Sequence, residues 1–184
     1  MDKKEILVIT GSPRRKGNSD ILADAFIEGA LQAGHTVKRF DTGRKKIRGC
    51  IACDTCFSKG TACSVKDDFQ EVAPLIAQAD VLVFSSPLYY FSFSAHLKAV
   101  IDRLYCFNFG PEPLKIKETV LLACGETTDL SYFDGMTKVY EKTAAFLNWN
   151  DRGQIIVPEV NTKGEINTKG EGYLKLAKEL GLAM

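Results

Sequence analysis

The stretch Ile6-Leu7-Val8-Ile9-Thr10-Gly11-Ser12-Pro13-Arg14-Arg15-Lys16-Gly17-Asn18-Ser19 runs from unbroken β-rich apolar residues into a glycine-bounded polar loop and then a helical pattern. A run that is apolar at every position belongs to a strand covered on both faces, as in a parallel sheet. The following helix places Ile21, Leu22, Ala25 and Phe26 on one side and stops at Gly34, with Asn18 or Ser19 predicted as its cap. Similar β-rich runs recur at 81–84, 120–124 and 155–157, whereas 36–40 (Thr-Val-Lys-Arg-Phe) is mixed and suits a sheet edge. Between them, Leu97, Val100, Ile101 and Leu104 form a helical stripe behind a capping Ser94. Phe133, Met136, Tyr140, Ala144 and Leu147 form another stripe, and Tyr173, Leu176, Ala177 and Leu180 a last one. This alternation predicts an α/β three-layer sandwich around a five-stranded parallel sheet in the order 2-1-3-4-5.

The 184 residues fit one domain spanning 1–184, without a linker, repeat or low-complexity tract. With 24 basic and 23 acidic side chains the net charge is +1, so no global field favours nucleic acid or an anionic membrane. The apolar run at 6–9 is too short for a signal segment, and no run is long enough to span a membrane, so the expected compartment is the cytoplasm.

The loop after the first strand reads as an anion cradle. Backbone N–H groups at a helix start are partly positive, Ser12, Asn18 and Ser19 can donate further bonds, and Arg14 or Arg15 can add charge. Neither a G-x-G-x-x-G fingerprint nor a triphosphate-binding lysine pair is present. An ordinary capped turn is the alternative. After the third strand, Ser85-Ser86-Pro87-Leu88-Tyr89-Tyr90-Phe91-Ser92-Phe93-Ser94 offers flat apolar surface for a ring, at the sheet end where ligands of open α/β folds collect. Aromatics that roof the core or form a subunit contact are the rival reading. Two such loops on neighbouring strand tips would make two halves of one mononucleotide site.

GSPRRKGNS followed by SPLYYFSFSAHLKAVIDR resembles the NADPH-dependent FMN reductase branch of the flavodoxin-like superfamily, from about the first strand to the last helix. The resemblance implies a flavodoxin-like fold with the FMN phosphate on Ser12, Arg14, Asn18 and Ser19, and the flavin against Pro87, Leu88, Tyr89, Tyr90 and Phe91. A third family segment is matched by Cys124-Gly125-Glu126-Thr127-Thr128, whose amides would approach the pyrimidine side of the flavin. It further implies NADPH or NADH as hydride donor, a quinone, flavin or protein as acceptor, and a homodimer or dimer of dimers. The flavin carries the chemistry, so no catalytic acid or base is expected. Cys124 and Cys106 read as small packing residues, and His96 as a surface or interface residue.

Cys50, Cys53, Cys56 and Cys63 spell C-x2-C-x2-C-x6-C within a cysteine-rich loop at about 49–64, ahead of a helix begun by Asp67-Asp68. Three thiolates at three-residue spacing can wrap a compact metal centre, and Gly49 and Gly60 permit the turns. The motif resembles that of iron-sulfur flavoproteins, which implies a 4Fe-4S cluster on these four cysteines. Zinc on the same four ligands, or a loop of reduced thiols without metal, stays open. The basic run Arg44-Lys45-Lys46-Ile47-Arg48 can attract NADPH or an acidic redox partner, or form a solvated face. Two other functions remain: an iron-sulfur electron carrier fed by ferredoxin, and a non-enzymatic phosphate-ligand module with a structural zinc loop.

Overall fold

The computed structural model describes residues 2–59, 63–108 and 114–184. Strands β1 (Glu5–Thr10), β2 (Thr36–Asp41), β3 (Val81–Pro87), β4 (Glu118–Cys124) and β5 (Asn150–Val157) form one sheet in the order β2-β1-β3-β4-β5, every pairing parallel. The flanking helices are α1 (Asn18–Gln32), α2 (Thr55–Lys59), α3 (Phe69–Gln78), α4 (Ala95–Arg103), α5 (Asp134–Phe146), α6 (Ile166–Lys169) and α7 (Glu171–Leu182). The expected flavodoxin-like strand order and three layers are therefore present. Among the described residues, no helix is long and apolar enough to cross a membrane.

Strand alternation explains the solid apolar runs. Ile6 and Val8 of β1, with Val81, Val83, Val120 and Leu122, face the layer holding Leu22, Phe26 and Ala177. Leu7 and Ile9, with Leu82, Phe84 and Leu121, face the layer holding Val72, Ile76, Leu97, Val100, Met136 and Tyr140. Each large side chain so buried contributes roughly 1.5–3 kcal/mol before chain entropy is counted. In the first layer α1 and α7 meet backbone to backbone at Gly29 and Gly181. A Cβ on Gly29 would fall 2.0 Å from the Lys178 carbonyl oxygen, and one on Gly181 2.2 Å from that of Phe26.

Three local expectations change. The α1 cap is Gly17, with no capping side chain, because the Asn18 side chain is committed to a distant loop. Leu176 of the last stripe is 52% exposed, and α7 buries Ala177 and Gly181 instead. The helix expected from Asp67-Asp68 starts at Phe69, its N–H donating to Asp67 Oδ1 at 3.1 Å. The Ser94 cap forms, accepting from the Leu97 N–H. Gly60 lies outside the described residues.

Candidate functional site

The loops leaving β1, β3, β4 and β5 meet in a cleft of about 450 Å³ at the carboxyl edge of the sheet. The structure brings together Ser12, Arg14, Asn18 and Ser19 from the first loop and helix start, Pro87, Leu88, Tyr89 and Tyr90 from the second, and Cys124, Gly125 and Glu126 from the third. Ser12 and Tyr89 thus share one cleft. Phe91 is not among the lining residues; its ring packs edge-on against Tyr132, with centroids 5.1 Å apart. Phe93 is buried beneath the turn against Phe84.

The first loop is folded on itself. The Arg14 N–H donates to Ser12 Oγ at 3.1 Å, the Gly17 N–H to the Arg14 carbonyl at 3.1 Å, and the Lys16 N–H to Asp20 Oδ2 at 2.8 Å. The backbone N–H groups of Ser12, Asn18 and Ser19 keep no protein acceptor among the described residues. They stand at the positive end of a fifteen-residue helix, the arrangement that receives anions. Asp20, a carboxylate at this helix start, is held by Arg39, which also pairs with Asp24 and Asp41.

The second loop is a tight turn. Tyr89 and Ser92 exchange N–H to carbonyl bonds of 3.0 and 3.1 Å, with Tyr90 and Phe91 between them at φ 44° and 63°. Two aromatic residues in the left-handed region are strained, at a cost of order 1–3 kcal/mol each. Tyr90 is 97% exposed, so the turn spends this strain presenting a ring to solvent rather than burying it. Buried hydroxyls fasten the turn: Ser94 Oγ donates to the Gly11 carbonyl at 2.7 Å, and Ser86 Oγ accepts from the Ser94 N–H at 3.1 Å.

In the third loop, the Leu88 N–H donates to the Cys124 carbonyl at 2.8 Å and the Gly125 N–H to that of Val157 at 3.0 Å. The Gly125 amide is therefore committed to the fold, and of the lining residues in this loop Glu126 keeps an N–H without a protein acceptor among the described residues. Cys124 is buried, and desolvation pushes its thiol up to about 12, which fits packing rather than chemistry.

Sequence reasoning missed the fourth wall, made by Val160, Asn161 and Lys163 after β5, and also Gly17. These residues carry no local motif. Only the tendency of parallel strands to deliver loops to one edge pointed there.

The cysteine loop is a separate structure. Cys50 and Cys53 are exposed, Cys63 is half-buried and Cys56 is buried, and among the described residues no three Cys, His, Asp or Glu side chains gather as a metal set. Its base is closed by Arg103, which is 1% exposed: Nη1 lies 2.7 Å from both oxygens of Asp67, and Nη2 donates to the Val65 carbonyl at 3.3 Å. The guanidinium lies 4.0 Å above the Phe69 ring. Burial would raise the Asp67 carboxyl, but the Arg103 bond and the N–H groups of Arg48 and Phe69 hold it below the ordinary carboxylate range. Cys106, beneath the loop, is buried and pushed up to about 11 by desolvation. In the preceding basic run, Lys45 is paired with Glu71 at 2.5 Å.

The family model for NADPH-dependent FMN reductase matches residues 5–130. An iron-sulfur flavoprotein of Archaeoglobus fulgidus is 35% identical over 103 residues, 56% of this chain and 46% of that protein. A Bacillus subtilis protein bearing the name NAD(P)H-dependent FMN-containing oxidoreductase is 26% identical over 168 residues, 88% of each chain. The chain spans about half the length of the first iron-sulfur flavoproteins it matches. Among solved structures, an NAD(P)H:quinone oxidoreductase from Methanothermobacter marburgensis superposes with TM-score 0.79 at 22% identity, covering 98% of this chain and 96% of that one. An azoreductase from Bacillus anthracis gives 0.73 at 18% identity, covering 98% and 100%; both likenesses speak for the fold. With a parallel sheet of this order and a family match spanning three of the four loops of the cleft, the chain belongs to the NADPH-dependent FMN reductase family.

Proposed function

We propose that this chain is an FMN-dependent oxidoreductase that takes hydride from NAD(P)H and passes electrons to a quinone, a flavin or a protein acceptor. The observation that carries the reading is the cleft itself. Unspent N–H groups at the start of α1 share a cleft of about 450 Å³ with a strained aromatic turn and the free Glu126 amide. Anion donors at one end and a flat apolar wall at the other are the two chemistries that a phosphorylated ring requires.

The residues fit FMN on this structure's own terms. Ser12, Asn18 and Ser19 would hold the phosphate through backbone N–H groups, with Arg14 adding charge. Pro87, Leu88, Tyr89 and Tyr90 would shield the ring, while the Glu126 amide would meet its polar edge. Bound FMN supplies hydride acceptance and electron release. The chain's own work is to orient it, to keep one face open beside exposed Tyr90, and to direct N–H dipoles at the edge where negative charge grows. The chain would act as one domain over residues 1–184, in the cytoplasm and as a homodimer. Exposed Leu130, Tyr132 and Phe91 beside the cleft supply an apolar contact face.

A second reading concerns the cysteine loop. Matches to iron-sulfur flavoproteins favour a 4Fe-4S cluster on Cys50, Cys53, Cys56 and Cys63, and four thiols are suitable donors. Among the described residues no three of these thiols stand together as a metal set, so the loop would have to draw them together around a cluster.

The test is one anaerobic preparation assayed for absorbance, released flavin, iron, sulfide and zinc, followed by titration with NADPH and with NADH. Flavin bands near one FMN per chain that bleach with either nucleotide are expected. Protein that is colourless and takes up no added FMN would sink the oxidoreductase reading. Stoichiometric zinc without iron would sink the cluster.

A further inference from the structure

We infer that Lys163, on the loop after β5, recognises a phosphate monoester at the helix end of the cleft and sets the protein's preference for phosphorylated over unphosphorylated ligand. The inference rests on the flavin reading of the cleft and adds a residue beyond the 5–130 match.

The loop is built, not merely nearby. Val160 donates its N–H to the Gly125 carbonyl at 3.0 Å and Glu159 its N–H to that of Thr127 at 3.2 Å, which ties it to the loop after β4. The Asn18 side chain ties it to α1: Nδ2 donates to the Thr162 carbonyl at 3.1 Å, and Oδ1 accepts from the Ile166 N–H at 3.2 Å. Asn18 is a buried polar residue, so these bonds fix the loop against the helix start. Within the loop, Glu165 Oε2 accepts from the Asn161 and Thr162 N–H groups at 2.8 and 2.9 Å, while Oε1 pairs with Lys169 at 2.6 Å. Glu159 and Gly164 take the left-handed turns at φ 59° and 81°.

The result leaves one cation over. Glu165, the carboxylate built into this loop, is occupied by Lys169 and two amides, and these bonds hold it down to about 2. Lys163 makes no ion pair among the described residues, and neither does Arg14 across the cleft. Two unpaired cations and the residues of three unspent N–H groups line the same cleft. Glu126, the lining carboxylate, comes from the loop after β4. An anion at the α1 start would meet the N–H groups there, with Arg14 and Lys163 supplying positive charge from the same cleft, Lys163 one residue beyond the Thr162 carbonyl that Asn18 holds.

A phosphate monoester reaches such a cleft from two sources, the 5′-phosphate of FMN or the 2′-phosphate of NADPH. The first is expected to be the ligand, because the donors sit at the helix start. The test compares wild type, Lys163→Gln, Lys163→Arg and, as a charge control away from the cleft, Lys142→Gln. FMN and riboflavin dissociation constants are read by flavin fluorescence quenching on protein stripped of flavin, and NADPH against NADH by KM on the reloaded enzyme. Lys163→Gln should weaken FMN about five- to tenfold, leave riboflavin within about twofold, and flatten the salt dependence of FMN binding. Lys163→Arg should restore the preference, and Lys142→Gln should not alter it. If the NADPH preference falls instead while the FMN preference holds, the phosphate belongs to the nicotinamide nucleotide. Unchanged preferences in both arms overturn the assignment of Lys163. Wild-type protein that binds neither flavin overturns the reading beneath it.

Discussion

The cleft and the cysteine loop begin from the same material, polar loops leaving the carboxyl ends of strands, yet they are organised oppositely. In the cleft, four loops are stitched to one another: Gly11 to Ser94, Leu88 to Cys124, Gly125 to Val157 and Asn18 to Thr162. The cysteine loop is stitched at its base, by Arg103 and Asp67, and beyond that base its thiols stand at different depths. Preorganisation is therefore a property of the backbone in one region and of a single buried ion pair in the other.

The largest effect should come from breaking that pair. Arg103→Met leaves the Asp67 carboxylate buried without its cation, and a loss of about 3–5 kcal/mol in urea unfolding is expected. Arg103→Met combined with Asp67→Asn should recover part of it, since no naked charge is then buried. In both variants the thiol reactivity of Cys56 should rise at temperatures where the protein stays folded. If Cys56 reacts at its wild-type rate, the clasp does not organise the loop.

On the cleft side the matching break is Gly11→Ala. A Cβ there would lie 2.5 Å from Ser94 Oγ and 2.9 Å from Leu97 Cβ, and the Ser94 hydroxyl that bonds the Gly11 carbonyl would have to move. Overpacking at this site should cost about 1–3 kcal/mol. It should also weaken flavin retention, while thiol reactivity in the cysteine loop stays unchanged. Loss of both functions together would mean that the two regions are not independent.

A pH series tests the pair against a common background. His35 is buried at the opposite, amino edge of the sheet, its Nδ1 accepting from the Lys4 N–H at 3.2 Å and its Nε2 without a partner among the described residues. Burial and the Lys4 charge lower its pKa below 6.5. The unfolded chain then binds the proton more readily than the folded one. The His35 contribution is full above about pH 6.5, the unfolded value, and is lost as the pH falls from there through the lowered folded-state pKa. His35→Asn, which keeps an acceptor for Lys4, should flatten this part of the urea-midpoint profile. A slope that survives the substitution would assign the pH dependence to other groups.

What the sequence disclosed follows the same division. Strands were legible because Leu7 and Ile9 face one layer while Ile6 and Val8 face the other, so burial on both faces is written into consecutive residues. Three cleft walls were legible because each carries its own local signal: a glycine-bounded polar loop, a proline-aromatic run, and a strand ending at Cys124-Gly125. The fourth wall was not, since Lys163 acquires its place through Asn18, far away in the chain, and Gly17 took the cap because Asn18 was already spent there. The spacing of the cysteines was visible, but not their depth: Cys56 is buried because α2 folds inward, and no sequence pattern separated it from exposed Cys53.

The finest test uses strain that both regions share. Ala52 and Asp54 in the cysteine loop and Tyr90 and Phe91 in the cleft turn all occupy the left-handed region without being glycine. Ala52 and Tyr90 are both exposed, so replacing either with glycine removes the steric cost while sacrificing little packing. After the extra chain entropy of glycine is subtracted, each of Ala52→Gly and Tyr90→Gly should stabilise the flavin-free protein by about 0.5–1 kcal/mol in urea unfolding. Their effects on flavin should part. Tyr90→Gly removes a ring from the cleft rim and should raise the FMN dissociation constant, whereas Ala52→Gly should leave it unchanged. If both variants gain stability and neither changes FMN binding, the strained turn serves the fold alone, and the strain at Tyr90 has no more to do with ligand than the strain at Ala52.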